Sequence, residues 1–302
     1  MNPGPSITIG GRTAVLICHR GVLSGGRRPN TAAAVRECIE ARVARAEIDV
    51  HSLDGPDYVV SHERRFERET TGAGSIGAAT PDDVRALRFL DDPDDRPALL
   101  TEIVDLARGS ATQLQLDLKD WRLLREARLR VLLEVIAPVR ERVILTAGED
   151  WNLRLLHRAA PDLAIGFDPG RYFGAGDDEP GFLPRAIGAY GYRDDHPMAV
   201  GRTEETADYL RARMEILELQ CPASREMFLD HRLILRMLDD GFDAVSWFHE
   251  RRSEVTAWTL DHAGADSVRV MKRLVAAGVD RITTNTPRAW AAMFESAGVA
   301  KD

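Results

Sequence analysis

The sequence predicts a (β/α)8 barrel, and two regularities carry the prediction. About eight short β-branched or apolar runs recur along the chain, and longer helical patterns with recognisable caps separate them. Strands that alternate with helices build a parallel sheet covered by helices, and eight such strands suggest closure into a barrel. The 302 residues match one large α/β unit.

The expected strands are 13–18, 46–50, 113–118, 142–146, 163–167, 215–219, 255–260 and 281–284. Asn30 or Thr31 caps the helical run AAAVRECIEARV, and Thr80 followed by Pro81, Asp82 and Asp83 caps VRAL. Such caps satisfy free N–H groups and put negative charge at the positive end of the helix dipole. Later helices are expected over 120–136, 203–213, 225–239, 267–276 and 287–296. Two stretches break the rhythm and read as loops: 61–79, polar and glycine-rich, and 168–202, rich in Gly, Pro and Asp without a period. The run 242–248 is a ninth strand-like segment, either an inserted hairpin or a sign that one of the eight strands is misplaced.

Composition narrows the function. Hydrophobic residues make up 44% and charged residues 29%, ordinary values for a globular chain. Forty Lys and Arg against 48 Asp and Glu leave a net charge of −8, which argues against a nucleic-acid partner. No apolar run approaches the roughly 18 residues of a membrane span. The N-terminus shows no basic segment followed by an apolar stretch, so the expected location is the cytoplasm. Cys18, Cys38 and Cys221 have no CxxC spacing and read as buried thiols. A Cys18/His19 nucleophile pair is disfavoured, because adjacent strand residues point to opposite faces.

Catalytic groups on such a barrel come from strand C-termini. The first strand ends in Cys18-His19-Arg20-Gly21, which places an imidazole and a guanidinium at the rim. The second carries Glu47-Ile48-Asp49, whose carboxylates project to one face. The third carries Asp117 and Lys119, again on a shared face, and His62 follows Val59-Val60-Ser61. Three carboxylates supply hard oxygen ligands for Mg²⁺ or Ca²⁺. Each residue alone has an ordinary structural explanation; seven together at strand ends point to a site.

In their order and spacing these motifs resemble the glycerophosphodiester phosphodiesterase family. The family's HRG, Pro-Glu-Asn-Thr turn, Glu-x-Asp strand, Val-Val-x-His-Asp and Arg-Thr-Thr-x-Gly-x-Gly loop are similar to His19-Arg20-Gly21, Pro29-Asn30-Thr31, Glu47-Ile48-Asp49, Val59-Val60-Ser61-His62-Glu63 and Arg68-Glu69-Thr70-Thr71-Gly72-Ala73-Gly74. Further on, Asp117-Leu118-Lys119 resembles its Glu-x-Lys strand and Trp258-Thr259-Leu260-Asp261 its Trp-Thr-Val-Asn. The segment from Gly278 to Pro287 resembles its closing Gly-Val-Asp-Gly-Ile-x-Thr-Asp-x-Pro.

The resemblance implies one barrel domain over 1–302, with a small insertion after the second strand at about 55–110. It implies hydrolysis of glycerophosphodiesters to glycerol 3-phosphate and an alcohol. Glu47, Asp49 and Asp117 would hold a divalent metal, Mg²⁺ or Ca²⁺, while Arg20 and Lys119 bind the phosphate. His19 and His62 would divide the acid and base work, and Trp258 would line the alcohol side of the pocket. The expected partner is a small-molecule substrate.

The chain departs from the pattern at several points. The turn lacks its Glu, His-Asp has become His62-Glu63, and the Glu of Glu-x-Lys is the shorter Asp117. Asp261 stands for Asn, and Asn285 stands for Asp. Two alternatives follow: a catalytically weakened barrel that binds phosphorylated metabolites, and a phosphodiesterase for a larger lipid or sugar phosphodiester, its pocket shaped by the 168–202 loop.

Overall fold

In the computed structural model, which describes residues 5–175 and 186–299, eight parallel strands close into a barrel. They are β1 (Arg12–Cys18), β2 (Arg45–Ser52), β3 (Gln113–Leu118), β4 (Val143–Ala147), β5 (Ala164–Phe167), β6 (Glu226–Asp230), β7 (Glu254–Trp258) and β8 (Arg281–Thr284). Each pairs with the next in chain order, and β8 returns to β1 with Thr284 opposite Cys18. Strand β2 is buried along its whole length. Side chains alternate along a strand, so Ala46, Ile48 and Val50 belong to one face while Arg45, Glu47 and Asp49 share the other, inside the barrel.

A short leading strand, Ser6–Ile9, folds back antiparallel on β1. Gly10 and Gly11 make that turn at φ of 58° and 81°, the left-handed pair that a two-residue hairpin requires. Inside the barrel Gly166 of β5 is obligatory, because a Cβ there would lie 2.4 Å from the Phe228 ring on β6.

Seven of the eight expected strands form close to their expected bounds, and the other differences have identifiable causes. The segment 215–219 is not a strand but the last turns of the helix Thr206–Gln220. Its Glu-Ile-Leu-Glu-Leu alternation imitates period two, while Leu210, Met214 and Leu217 are buried at helical spacing. The sixth strand is Glu226–Asp230, inside the stretch 225–239 expected to be wholly helical; the helix begins at His231, capped by the Asp230 side chain. The strand-like run 242–248 is not a strand but enters the helix Ala244–Glu250, whose Asp243 cap accepts from the Ser246 amide at 3.0 Å. The helix expected over 120–136 starts only at Glu126, and a further helix, Asp150–Ala159, fills the gap between β4 and β5.

Between β2 and β3, the strand Tyr58–Val60 extends the end of β2 antiparallel. Leu53, Val59, Phe66, Ile76, Ala79, Val84 and Leu99 form a small core of their own beneath the 61–79 loop. The helix Leu100–Ala107 then packs between Ala32–Glu40 and Glu126–Ile136 in the outer ring. Within 168–202, the described residues form a three-stranded sheet from Phe173–Gly174, Ala186–Ile187 and Arg193–Asp194. It is anchored on the helix Thr206–Gln220: Asp194 accepts from the Tyr209 hydroxyl at 2.5 Å and from buried Arg213 at 2.7 Å. Residues 176–185 of that loop lie outside the described residues. All three cysteines are buried free thiols, and among the described residues no helix is long and apolar enough to cross a membrane.

Candidate active site

The C-terminal ends of the strands surround one cleft of about 230 Å³, lined by His19, Arg20, Glu47, Asp117, Asp168 and Trp258 among others. Pairing across β2 and β3 sets Asp49 directly beside Asp117. Glu47, Asp49 and Asp117 each bring a carboxylate oxygen within 4.8 Å of the others. The one-methylene shortening at Asp117 therefore does not take it out of the cluster.

Cations hold these carboxylates in place. Lys119 lies 3.0 Å from Asp49 and also bonds Asp117, while Thr146 donates to Asp117 at 3.1 Å. Arg20 turns through a left-handed φ of 51°, which brings its amide to 2.7 Å from Glu47 and its guanidinium to 3.2 Å from Asp49. Gly21 follows at φ 71° where a Cβ would press on Ala34 and Val35, so the glycine of His-Arg-Gly is a steric requirement of this turn. Asn30 completes the ring, donating to Asp49 at 2.7 Å and accepting from its amide at 3.1 Å. The helix cap is Thr31, not Asn30, with Thr31 accepting from Ala34 at 3.2 Å.

The electrostatics fit a cation-binding cluster. Burial, reinforced by Asp49 and Asp117, pushes the Glu47 carboxyl well above the usual range. Burial also works to raise Asp49, but Lys119 and Arg20 overcome it and hold that carboxylate well below its ordinary value. Burial would lower Lys119, yet Asp117 and Asp49 push it up, so the ammonium stays charged. A buried carboxylate made reluctant to ionise by two others is relieved by a divalent cation, and the donor set is all oxygen.

His19 is held by a relay the sequence motifs do not display as a unit. Its Nδ1 lies 2.9 Å from the Asn285 side-chain oxygen. Asp261 accepts from the Asn285 backbone amide at 2.6 Å and from its side-chain amide at 2.9 Å. Because Asp261 only accepts, Asn285 must present oxygen to the ring, so Nδ1 carries the proton and Nε2 is left with its lone pair, 3.9 Å from Glu47. Burial and the Arg20 charge lower the His19 pKa, which keeps the imidazole neutral. The departures at 261 and 285 are thus an exchange of acid and amide between two bonded partners.

Trp258 lines the cleft, and its indole N–H has no hydrogen-bond partner among the described residues. Asp49 and Lys119 stand behind the lining. His62 sits at the exposed margin, 43% accessible, with Nδ1 3.4 Å from Glu63 and near enough for its charge to act on Asp49. Sequence reasoning missed Asp168 and Glu149, whose carboxyls burial raises in each case to about 7. Their signal was position alone, one and two residues beyond strand ends.

No protein-family model matches the chain, and no curated protein matches it in sequence. Solved structures do match in fold. A glycerophosphodiester phosphodiesterase from Parabacteroides distasonis superposes with a TM-score of 0.66 at 17% identity, covering 94% of this chain and 98% of that one. An Oleispira antarctica phosphodiesterase in complex with the product sn-glycerol-3-phosphate gives 0.65 at 17% identity, over 93% and 96%. A glycerophosphodiester phosphodiesterase from Thermotoga maritima gives 0.60 at 16% identity, over 93% and 98%. At these identities the likeness is one of backbone architecture: this chain has the (β/α)8 fold of glycerophosphodiester phosphodiesterases along nearly its whole length.

Proposed function

We propose that the protein hydrolyses small glycerophosphodiesters to glycerol 3-phosphate and an alcohol, in a divalent-metal-dependent reaction. The observation that carries this reading is the convergence of Glu47, Asp49 and Asp117 with Arg20, Lys119 and a neutral His19 at one barrel mouth. A phosphodiester is anionic and gains negative charge as it is attacked, so it needs a cationic shell and proton transfer. Glu47, Asp49 and Asp117 would hold the metal, Mg²⁺ or Ca²⁺, which supplies Lewis-acid stabilisation of the phosphate oxygens when bound.

The remaining work falls to the chain's own groups. Arg20 sets positive charge on the cleft wall, with Lys119 adding to it from behind the lining, and the Trp258 ring forms part of the wall. His19 Nε2 takes a proton from the attacking water as its oxygen bonds to phosphorus, a role that suits its fixed tautomer and depressed pKa. The phosphorus–oxygen bond to the departing alcohol breaks, and His62, at the open margin, gives that alkoxide its proton. Asp117 keeps its oxygen in the carboxylate cluster, so its length is no reason to expect a dead barrel.

The test is release of glycerol 3-phosphate from a panel of glycerophosphodiesters with Mg²⁺, Ca²⁺ or chelator. Turnover is expected to need the metal and to fall at least about 100-fold in Glu47→Gln, the scale for losing one electrostatic element of a site. Turnover untouched by both chelator and the substitution would overturn the reading.

The His19 relay also makes a pH prediction. A lowered pKa means that the neutral base persists below the ordinary histidine value of about 6.5, so the acid limb of kcat/KM should lie beneath it. The double variant Asp261→Asn/Asn285→Asp keeps the pair bonded but puts a carboxylate against Nδ1, which favours the imidazolium. Its acid limb should move up by about one pH unit, read from kcat/KM profiles; an unmoved limb would sever the relay from catalysis.

A further inference from the structure

The walls of the cleft differ in chemistry. Strands β1 to β3 supply its charged side, with His19, Arg20, Glu47 and Asp117. Strands β6 and β7 supply two aromatic rings, Phe228 and Trp258, and the residue just past β5 is Asp168. Strand β5 is four strands from β1 in either direction around the ring, so Asp168 faces the wall that carries His19. Asp168 and Trp258 meet over Gly170, where a Cβ would come within 2.9 Å of Asp168 Oδ1 and 3.6 Å of Trp258 Cζ2. The Gly170 amide donates to Asp168 Oδ1 at 2.8 Å. Among the described residues this is the one hydrogen bond of the half-buried side chain, and it enters no ion pair.

A lone carboxylate is out of place in a cleft for an anion. Glu47, Asp49 and Asp117 form a cluster with Arg20 and Lys119 against it, and no cation plays that part for Asp168 among the described residues. Burial pushes its carboxyl up to about 7 against the Gly170 hydrogen bond, and Asp117 and Asp230 add to the rise. Lys119 works the other way, but it is bonded to Asp49 and Asp117. Positive charge on the same substrate would relieve both the carboxylate and its repulsion of the phosphate. A carboxylate beside aromatic rings attracts an organic ammonium twice, through its own charge and through the ring quadrupoles. A neutral polyol offers nothing that relieves the charge.

We propose that Asp168 is a specificity-determining residue, which together with the Trp258 ring selects glycerophosphodiesters whose departing alcohol carries a cationic nitrogen. This deepens the hydrolase reading and rests on it. An in-line displacement whose nucleophile is served by His19 sends the alcohol toward the facing wall, where Asp168 stands. The alcohol's own charge then sets specificity, separately from the phosphodiester.

A matched pair isolates the effect: glycerophosphocholine and its neutral isostere, with carbon in place of the quaternary nitrogen, differ by one charge at constant shape. Wild type should prefer the choline ester by about tenfold in kcat/KM, the scale of one desolvated cation–π contact. Asp168→Asn keeps an oxygen for the Gly170 amide and removes the charge, so it should bring the ratio close to one, chiefly through KM for the choline ester. Asp162→Asn, at a 73% exposed carboxylate that pairs with Arg140, should leave the ratio as it is. A wild-type ratio near one, or a preference that survives Asp168→Asn, would overturn the assignment. If Asp168→Asn does not fold, Trp258→Leu carries the test: a ratio that falls toward one supports the site, and an unchanged ratio rejects it. If neither ester is cleaved, the hydrolase reading fails, and calorimetry still decides. The choline ester binding about tenfold tighter than its isostere in wild type, and equally in Asp168→Asn, supports the site; equal binding in wild type rejects it.

Discussion

His19→Ala should lower kcat/KM for glycerophosphodiester hydrolysis by about 100- to 10,000-fold, the usual contribution of a positioned general base. The loss should fall mainly on kcat, because in the proposed reading Arg20 and Lys119 still supply the positive charge that would bind the phosphate and the carboxylate cluster is intact. Structure should change little: His19 is a part-buried residue on a one-turn segment, and the backbone turn beside it is held by the Arg20 amide on Glu47 and by the Asn30 amide on the Arg20 carbonyl. His19→Gln is the informative companion, since its amide could occupy the relay to Asn285 but cannot take a proton at neutral pH. Equal losses in both variants, with unchanged metal binding, identify proton transfer as the missing element. A loss that appears only in KM would instead make His19 a binding residue.

Much of the barrel was legible in the chain because most of its strands obey local rules. Strands β1, β2, β3, β4, β5, β7 and β8 are apolar runs bounded by polar or helical sequence, and burial on both faces keeps them distinct. Strand β6 failed for a physical reason. Its sequence Glu-Met-Phe-Leu-Asp starts and ends in acid, and the inward Glu226 is made tolerable by Arg45, a partner 181 positions away. In its place, Glu-Ile-Leu-Glu-Leu looked like a strand because buried Arg213 and exposed Leu219 blur the helical stripe.

The candidate site divides in the same way. His19, Arg20, Glu47, Asp49, Asp117 and Lys119 lie at strand ends, where period two determines their face, and the structure gathers them at one mouth. Residues that act through loop geometry were not legible. Asn30 read as a helix cap and holds Asp49, while Asp261 and Asn285 read as two separate departures and form one bonded pair. Glu149 and Arg171 meet only because their loops follow adjacent strands, a proximity that no motif spacing encodes.

At the opposite, N-terminal end of the barrel interior, Glu226→Gln should cost about 3–5 kcal/mol of stability, the penalty for leaving a buried charge without its partner. Arg45 is forked onto Glu226 at 2.7 and 3.0 Å, with both side chains under 5% exposed. Gln113 accepts from the Arg45 Nε at 2.7 Å, Thr256 donates to Glu226, and Arg281 lies 3.5 Å from it. Five strands thus tie their first inward residues into one layer. Against the roughly 5–15 kcal/mol by which domains are usually stable, the single change should move the urea midpoint strongly downward. The double variant Arg45→Met/Glu226→Leu removes both charges and fills the space with apolar volume, so it should recover most of the loss. If the single variant unfolds at the wild-type midpoint, the layer contributes no stability. If the double variant is as weak as the single one, the layer's contribution is its hydrogen-bonded geometry across five strands and not the avoidance of a lone charge.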